Sequence, residues 1–268
     1  MLYQRTGGVV VKKSVLVSQK GKVAWITLNR PASMNAMNDE LVSELHSVLD
    51  DVAVDDSVKS IVLTGAGKAF CAGGDLPYLE TLDSVGTKKK FIEKVGMLAK
   101  KITLIQKPII AMVNGVAAGA GANLMLACDL VYAVDSARFA QSFAKVGLIP
   151  DCGGMYFLPK TVGVHKAKEL MFTADLINSS QAEQLGMVNH VLPAEVIVQE
   201  TEKMAERLAE AAPLAIALTK ATLNKTDMEL DDVLATEATA QTLCLGTADC
   251  AEGIAAFKEK RMPVFTGK

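Results

Sequence analysis

At 268 residues the chain is sized for one large domain or a domain with an appendage. Half of its residues are hydrophobic and 22% are charged, which excludes a disordered chain, because such sequences lack the apolar surface that offsets ordering entropy. Lys and Arg total 28 against 30 Asp and Glu, so there is no excess positive charge to displace counterions from a nucleic-acid backbone, and no nucleic-acid partner is expected.

Residues 1–13 contain no apolar run followed by a small-residue cleavage site; they read as a short mobile tail rather than a secretory signal. Five cysteines, Cys71, Cys128, Cys152, Cys244 and Cys250, are widely spaced, with no CxxC pair and no histidine at zinc-ligand distance. Reduced thiols in a cytoplasmic chain that binds no metal are expected.

Residues 14–19 and 22–28 alternate β-branched and aromatic residues around Gly21 and predict a hairpin. Asn38 then stands before Asp39 and Glu40 and an apolar stripe of Leu41, Leu45, Val48, Leu49 and Val52, the signature of a capped amphipathic helix. The next segments repeat one pattern. A short strand over 60–64 leads to a glycine loop over 65–74 and a helix opened by Asp75-Leu76-Pro77. A helix over 88–106 precedes a strand over 109–113, a glycine loop over 114–119, a helix through Cys128 and a strand over 130–134. Residues 138–141 form another strand, followed by a loop over 147–154 and a further helix.

Residues 109–126 are apolar enough to suggest a membrane span, with a GxxxG face at Gly115 and Gly119. Asn114-Gly115 and the three closely spaced glycines instead divide the segment into a strand and a short buried helix, so no membrane partner is expected. Ser180, three residues before Glu183, suits a capping box, and a last strand is expected over 187–192. The remainder reads as helices over 194–212, 214–224, 230–245 and 248–260. The expected organisation is therefore the tail, an α/β core over 14–193 and a helical region over 194–268 whose unpartnered apolar positions suit packing against another subunit.

Three glycine loops stand where a strand meets a helix: 69–76, 114–123 and 147–154. Helix N-termini have N–H groups without intrahelical acceptors, and glycines there remove the Cβ that would hold a ligand oxygen away. Two such N–H groups could hold an oxyanion, although tight connections alone also favour glycine. Nucleotide loops are ruled out by spacing: Gly65-Ala-Gly-Lys68 lacks the P-loop pattern, and Gly119-Ala-Gly121 lacks the third glycine of a dinucleotide loop. The histidines, His46, His165 and His190, are far apart, and Ser142 has no recognisable base motif, so neither a proton relay nor a serine nucleophile is expected.

The runs Phe-Cys-Ala-Gly-Gly-Asp-Leu at 70–76, 108–129 and Gly-Leu-Ile-Pro-Asp-Cys-Gly-Gly at 147–154 together resemble the crotonase (enoyl-CoA hydratase/isomerase) superfamily. So do Leu-Asn-Arg-Pro at 28–31, Asn35-Ala36 and the closing run 252–261. The resemblance implies a spiral of ββα units with a helical C-terminal region, a homotrimer or dimer of trimers, and acyl-CoA thioester substrates, with no separate cofactor. It places the two carbonyl-holding N–H groups at Gly74 and Ala120, the latter standing where glycine is common. Negative charge that builds on a thioester oxygen during proton abstraction or addition is what such donors stabilise.

The departures from the family pattern carry information too. Where hydratases of this family have two glutamates that orient and activate water, this chain has Asn123 and Phe143. Asp151 remains. Read from the residues alone, it suits a helix cap after Pro150. The resemblance, which is strongest to the ring 1,2-epoxyphenylacetyl-CoA isomerases of bacterial phenylacetate breakdown, implies an acid/base there instead. It also implies that Lys68, Ala69, Phe70, Cys71 and Ala72 line the adenine pocket through backbone contacts, with Asn123 and Phe143 in the substrate pocket. Phe257 and Lys260 would reach CoA in their own or a neighbouring subunit's site; read locally, they belong to a solvated terminal helix. The expected function is that of an acyl-CoA isomerase that shifts a double bond, or rearranges a ring epoxide, through a dienolate held by the two N–H groups with one aspartate as acid/base. The alternatives are enoyl-CoA hydration and non-catalytic acyl-CoA binding.

Overall fold

The computed structural model describes residues 10–11, 14–225 and 228–268. Most of the expected tail lies outside these residues. Within it, Val10–Val11 forms a strand, β1, paired antiparallel with β2 (Val15–Lys20), so these two residues belong to a sheet. A two-residue turn with Gly21 at φ +55° joins β2 to β3 (Val23–Leu28), the conformation that a tight hairpin requires and glycine supplies without steric cost. Asn38 caps α1 (Asp39–Val54) as expected, its side chain accepting from the Leu41 N–H at 3.0 Å.

The spiral follows. Its first turn is β4 (Ser60–Gly65), β5 (Ala69–Cys71), α2 (Leu76–Glu80) and α3 (Val85–Leu104). Its second is β6 (Ile109–Val113), β7 (Val116–Ala118) and α4 (Ala120–Leu126). Its third is β8 (Leu130–Val134), β9 (Arg138–Ala140), a 3-10 helix (Ser142–Val146), α5 (Gly154–Val162) and α6 (Val164–Thr173). β10 (Ile177–Asn178), α7 (Ser179–Gln184) and β11 (His190–Leu192) complete it. Each turn gives one strand to each of two sheets. The larger has the order β1-β2-β3-β4-β6-β8-β11 and is parallel from β3 onward; the smaller has the order β10-β9-β7-β5. The smaller sheet corrects the reading of 65–74 and 114–119 as loops alone: each contains a three-residue strand, too short to show a period in sequence.

β4 and β6 are buried along their whole length, as parallel strands covered on both faces must be. The apolar stripe of α1 packs against α3, whose Phe91, Val95, Leu98 and Ile102 are buried. Residues 109–126 resolve into β6, β7 and the seven-residue α4; among the described residues no helix is long and apolar enough to cross a membrane. The expected Ser180 capping box is replaced by one that begins two residues earlier. Asn178 accepts from Gln181 N–H at 2.9 Å while Gln181 Oε1 accepts from Asn178 N–H, and Glu183 instead accepts from Val191 N–H. Ser179, buried, donates to the Val134 carbonyl, which sets where α7 starts.

The C-terminal helices are α8 (Ile197–Ala209), α9 (Pro213–Leu223), α10 (Leu230–Leu245) and α11 (Ala248–Glu259). α8 packs on β4 and β6. α9 is tied to the spiral by Lys220, whose ammonium donates to Asp129 Oδ2 at 2.7 Å and to the Lys107 carbonyl at 3.1 Å. α10 buries none of its residues and leaves Leu230, Leu234, Leu243 and Leu245 exposed.

Candidate active site

The first glycine loop hangs from residues 30–37. Arg30 pairs with Asp75 at 2.8 Å, and Asp75 in turn caps α2 by accepting from Tyr78 N–H. Asn35, fully buried at φ +57°, donates to the carbonyls of Ala66 and Ala69 and accepts from Arg30 N–H. Ala72 N–H donates to the Met34 carbonyl, and Met37 bridges to Gly74 through the Gly73 carbonyl and the Asp75 N–H. That bridge does not use the Gly74 N–H. The early Asn-Arg-Pro and Asn-Ala motifs thus build the frame of the first expected donor.

The second loop comes within touching distance of the first. A Cβ on Gly73, which has φ +100°, would lie 2.9 Å from the Ala118 carbonyl oxygen and 3.4 Å from Ala120 N. Gly119 N–H donates to the Ala140 carbonyl, which turns the chain into α4 with Ala120 as its first residue, where an N–H has no intrahelical acceptor. A Cβ on Gly119 would also lie 3.6 Å from the Phe143 ring and 3.3 Å from Ser142 Oγ. Gly73, Gly74, Gly119, Ala120 and Phe143 are therefore brought together from three different turns of the spiral.

Asp151 belongs to the third loop. It is not the cap of α5: that place is taken by Gly153, in the left-handed region at φ +76°, directly after Cys152 at φ +49°. Two successive left-handed residues turn the chain so sharply that the aspartate falls outside the capping position. Its Oδ1 is buried and has no hydrogen-bond partner among the described residues. Burial pushes its carboxyl up to about 6, against a small opposing effect from its own backbone N–H. Its main-chain carbonyl accepts from Gly154 N–H at 2.9 Å and from Asn123 Nδ2 at 2.8 Å.

Asn123 is fully buried with both ends of its carboxamide engaged, since its Oδ1 accepts from Gln141 Nε2 at 2.8 Å. The structure thus places it against the Asp151 main chain and Gln141. Gln141 was not among the residues singled out from sequence; its one signal is an amide directly after the apolar pair Phe139-Ala140.

The other expected contacts are distributed differently. Ala69, Phe70 and Cys71 are core residues of β5 with no exposed surface, so only their backbone could meet a ligand, and the Ala69 carbonyl already accepts from Asn35. Lys68 is exposed and Ala72 half-buried. Phe257 is 86% exposed and lines an apolar groove of about 830 Å³ with Leu214, Leu218, Cys250, Ile254 and Phe265. Lys260, at φ +55°, ends α11 and is exposed. Neither is brought to Asp151 within one chain's described contacts.

The cysteines of the loops are sealed: burial pushes the Cys71 thiol up to about 12 and raises Cys152 as well, which disfavours their thiolates. His46 binds the Lys94 carbonyl and His190 stacks edge-on against Tyr132, both structural roles.

A family model described as enoyl-CoA hydratase/isomerase matches residues 18–268. The chain is similar to the 1,2-epoxyphenylacetyl-CoA isomerase of Escherichia coli (strain K12), at 39% identity over 93% of this chain and 97% of that protein. It is also similar to the crotonyl-CoA hydratase of Syntrophomonas wolfei, at 35% identity over 96% of this chain and 99% of that protein. Among solved structures, the enoyl-CoA hydratase of Bacillus anthracis superposes with a TM-score of 0.92 at 32% identity, covering 96% of this chain and all of that one.

Proposed function

Since this chain belongs to the enoyl-CoA hydratase/isomerase family, whose members act on acyl-CoA thioesters, we propose that it is an acyl-CoA isomerase that works with one carboxylate, Asp151. The observation that carries this reading is the buried, unpartnered Oδ1 of Asp151, with a carboxyl pushed up to about 6. Such a group is largely ionised at neutral pH, yet is a stronger base than a solvated aspartate.

For a 3-enoyl thioester, the carboxylate takes the C2 proton and the electron pair delocalises into a dienolate. The N–H groups of Gly74 and Ala120 hold the resulting oxyanion. The carboxylic acid then returns its proton to C4, the double bond moves to C2, and Asp151 is regenerated. One group suffices because the proton leaves and re-enters the same extended π-system. The similarity to the Escherichia coli isomerase extends the substrate class to ring-epoxide thioesters, whose rearrangement would use the same oxyanion donors and the same acid/base.

Hydration is the alternative, because relatives such as the Syntrophomonas enzyme carry that name. Water addition needs a second residue to orient the nucleophile, however, and Asn123 and Phe143 occupy the two positions at which the family resemblance places glutamates. Asn123, with both ends of its amide engaged, has no base to offer.

We further propose a trimeric assembly, supported by the exposed leucines of α10 and the apolar groove around Phe257, with Phe257 and Lys260 directed to CoA. Turnover of straight-chain 3-enoyl-CoA, 2-enoyl-CoA and aryl-epoxide thioesters by the intact protein tests the reading. Isomerisation with only slight hydration is expected. Efficient hydration of 2-enoyl-CoA would overturn it, and so would the absence of turnover with all three.

A further inference from the structure

Among the described residues the Oδ1 of Asp151 has no hydrogen-bond partner to hold it in place, so its position has to be set through its backbone. Three segments converge to do this. Asn123 donates to the Asp151 carbonyl from α4, Gly154 donates to the same oxygen from the first turn of α5, and Gln141, just past the end of β9, donates to Asn123 Oδ1. Gly154 makes room for the amide: a Cβ there would lie 2.2 Å from Asn123 Nδ2.

The two ends of a carboxamide are alike in shape and opposite in hydrogen bonding. By donating to Oδ1, Gln141 decides that the other end, the NH₂ group, faces Asp151. Gln141 itself is buried and leaves its Oε1 without a partner among the described residues. A half-satisfied buried amide is costly and uncommon, so what it holds in place calls for a reason. Asn123 lies one helical turn from Ala120, and its own N–H donates to the Gly119 carbonyl at 3.1 Å. One short element therefore carries both an oxyanion donor and the anchor of the base.

We infer that Asn123, oriented by Gln141, is a positioning residue that fixes the Asp151 carboxyl relative to the Ala120 N–H. The inference rests on the reading of Asp151 as acid/base. In this account Asn123 is a working substitute for the family's glutamate: a carboxylate at 123 could neither donate to the Asp151 carbonyl nor sit beside a second buried carboxyl without repulsion.

The test is steady-state kinetics of the full-length Gln141→Leu, Gln141→Glu and Asn123→Leu variants and the Gln141→Leu/Asn123→Leu double variant with 3-enoyl-CoA. Gln141→Glu is isosteric and presents an acceptor to Asn123, which turns its amide around. Each single variant is expected to lose at least ~10-fold in kcat with KM changed little, as misplacement of a proton-transfer group does. The acid limb of kcat/KM is expected to move down towards that of an ordinary aspartate as the freed carboxyl gains water. The double variant should be no slower than Asn123→Leu, because Gln141 acts through Asn123.

Parental kcat in both Gln141 variants, additive losses in the double variant, or an acid limb that stays in place would overturn the positioning role. If Asn123→Leu fails to fold, the two Gln141 variants decide the matter. These results are separable from the reading beneath them: full turnover by Asp151→Asn removes both, whereas loss in Asp151→Asn with parental Gln141 variants removes the positioning role alone.

Discussion

Asp129 and Asp151 are both aspartates whose carboxyls are raised by burial, and the chain treats them in opposite ways. Asp129 Oδ2 accepts from Ile109 N–H and from Lys220, each at 2.7 Å, and Lys220 is itself buried, with only 6% of its side chain exposed. Every partner opposes the burial effect, and the carboxylate becomes a joint between α9 and the base of the larger sheet. Among the described residues Asp151 has no cation beside it, and its Oδ1 has no hydrogen-bond partner. The joint is a structural device because its charge is answered. The other carboxyl keeps a raised proton affinity because its charge is not.

Breaking the joint gives the largest effect on folding. Lys220→Met strands the Asp129 carboxylate. Because 23% of that side chain remains exposed, the loss should be about 2–3 kcal/mol, below the ~3–5 of a fully enclosed pair. Asp129→Asn added to Lys220→Met should return part of this loss in denaturant unfolding. If Lys220→Met is as stable as the parent, the joint has no energetic role.

The opposite sign is expected at Asp151. A folded-state carboxyl near 6 lies above the ~3.9 of an unfolded aspartate, so the native state holds its proton more tightly. Its contribution is favourable below pH 4 and is lost as pH rises through 6. Asp151→Asn should therefore be more stable than the parent by up to ~2 kcal/mol at pH 8, and the gain should vanish near pH 4. A gain equal at both pH values would mean that the carboxyl is not raised. A smaller effect concerns the exposed periphery: Lys260→Ala should weaken CoA binding by at most ~1 kcal/mol, and more at low salt than at high salt. Calorimetric affinity unchanged at low ionic strength would return Lys260 to the solvated surface.

Elements with a long period or a strong cap were legible in sequence. α1 with its Asn38 cap, the hairpin at Gly21, β6, β8 and α10 stand within a residue or two of their expected bounds. β5, β7 and β10 were not, because two or three residues carry no periodicity and their pairing partners lie in other turns of the spiral. The same holds within the site. The glycines of 73–74 and 119–121 announce close backbone approach, and Asp151 stands out as a carboxylate in a glycine loop. That Asp151 does not cap α5 depends on left-handed Cys152 and Gly153, and no residue type forces the first of these. Gln141 became visible only through its bond to Asn123, eighteen positions away in sequence and adjacent in space.

The central claim, that one buried aspartate moves the proton, is tested most directly by Asp151→Asn assayed with 3-enoyl-CoA alongside calorimetric binding of an acyl-CoA. Asparagine keeps the size of the side chain and leaves untouched the main-chain carbonyl that Asn123 and Gly154 hold. In this variant kcat is expected to fall at least ~10²-fold while acyl-CoA affinity stays near that of the parent. Full isomerase turnover in the Asp151→Asn variant would contradict it.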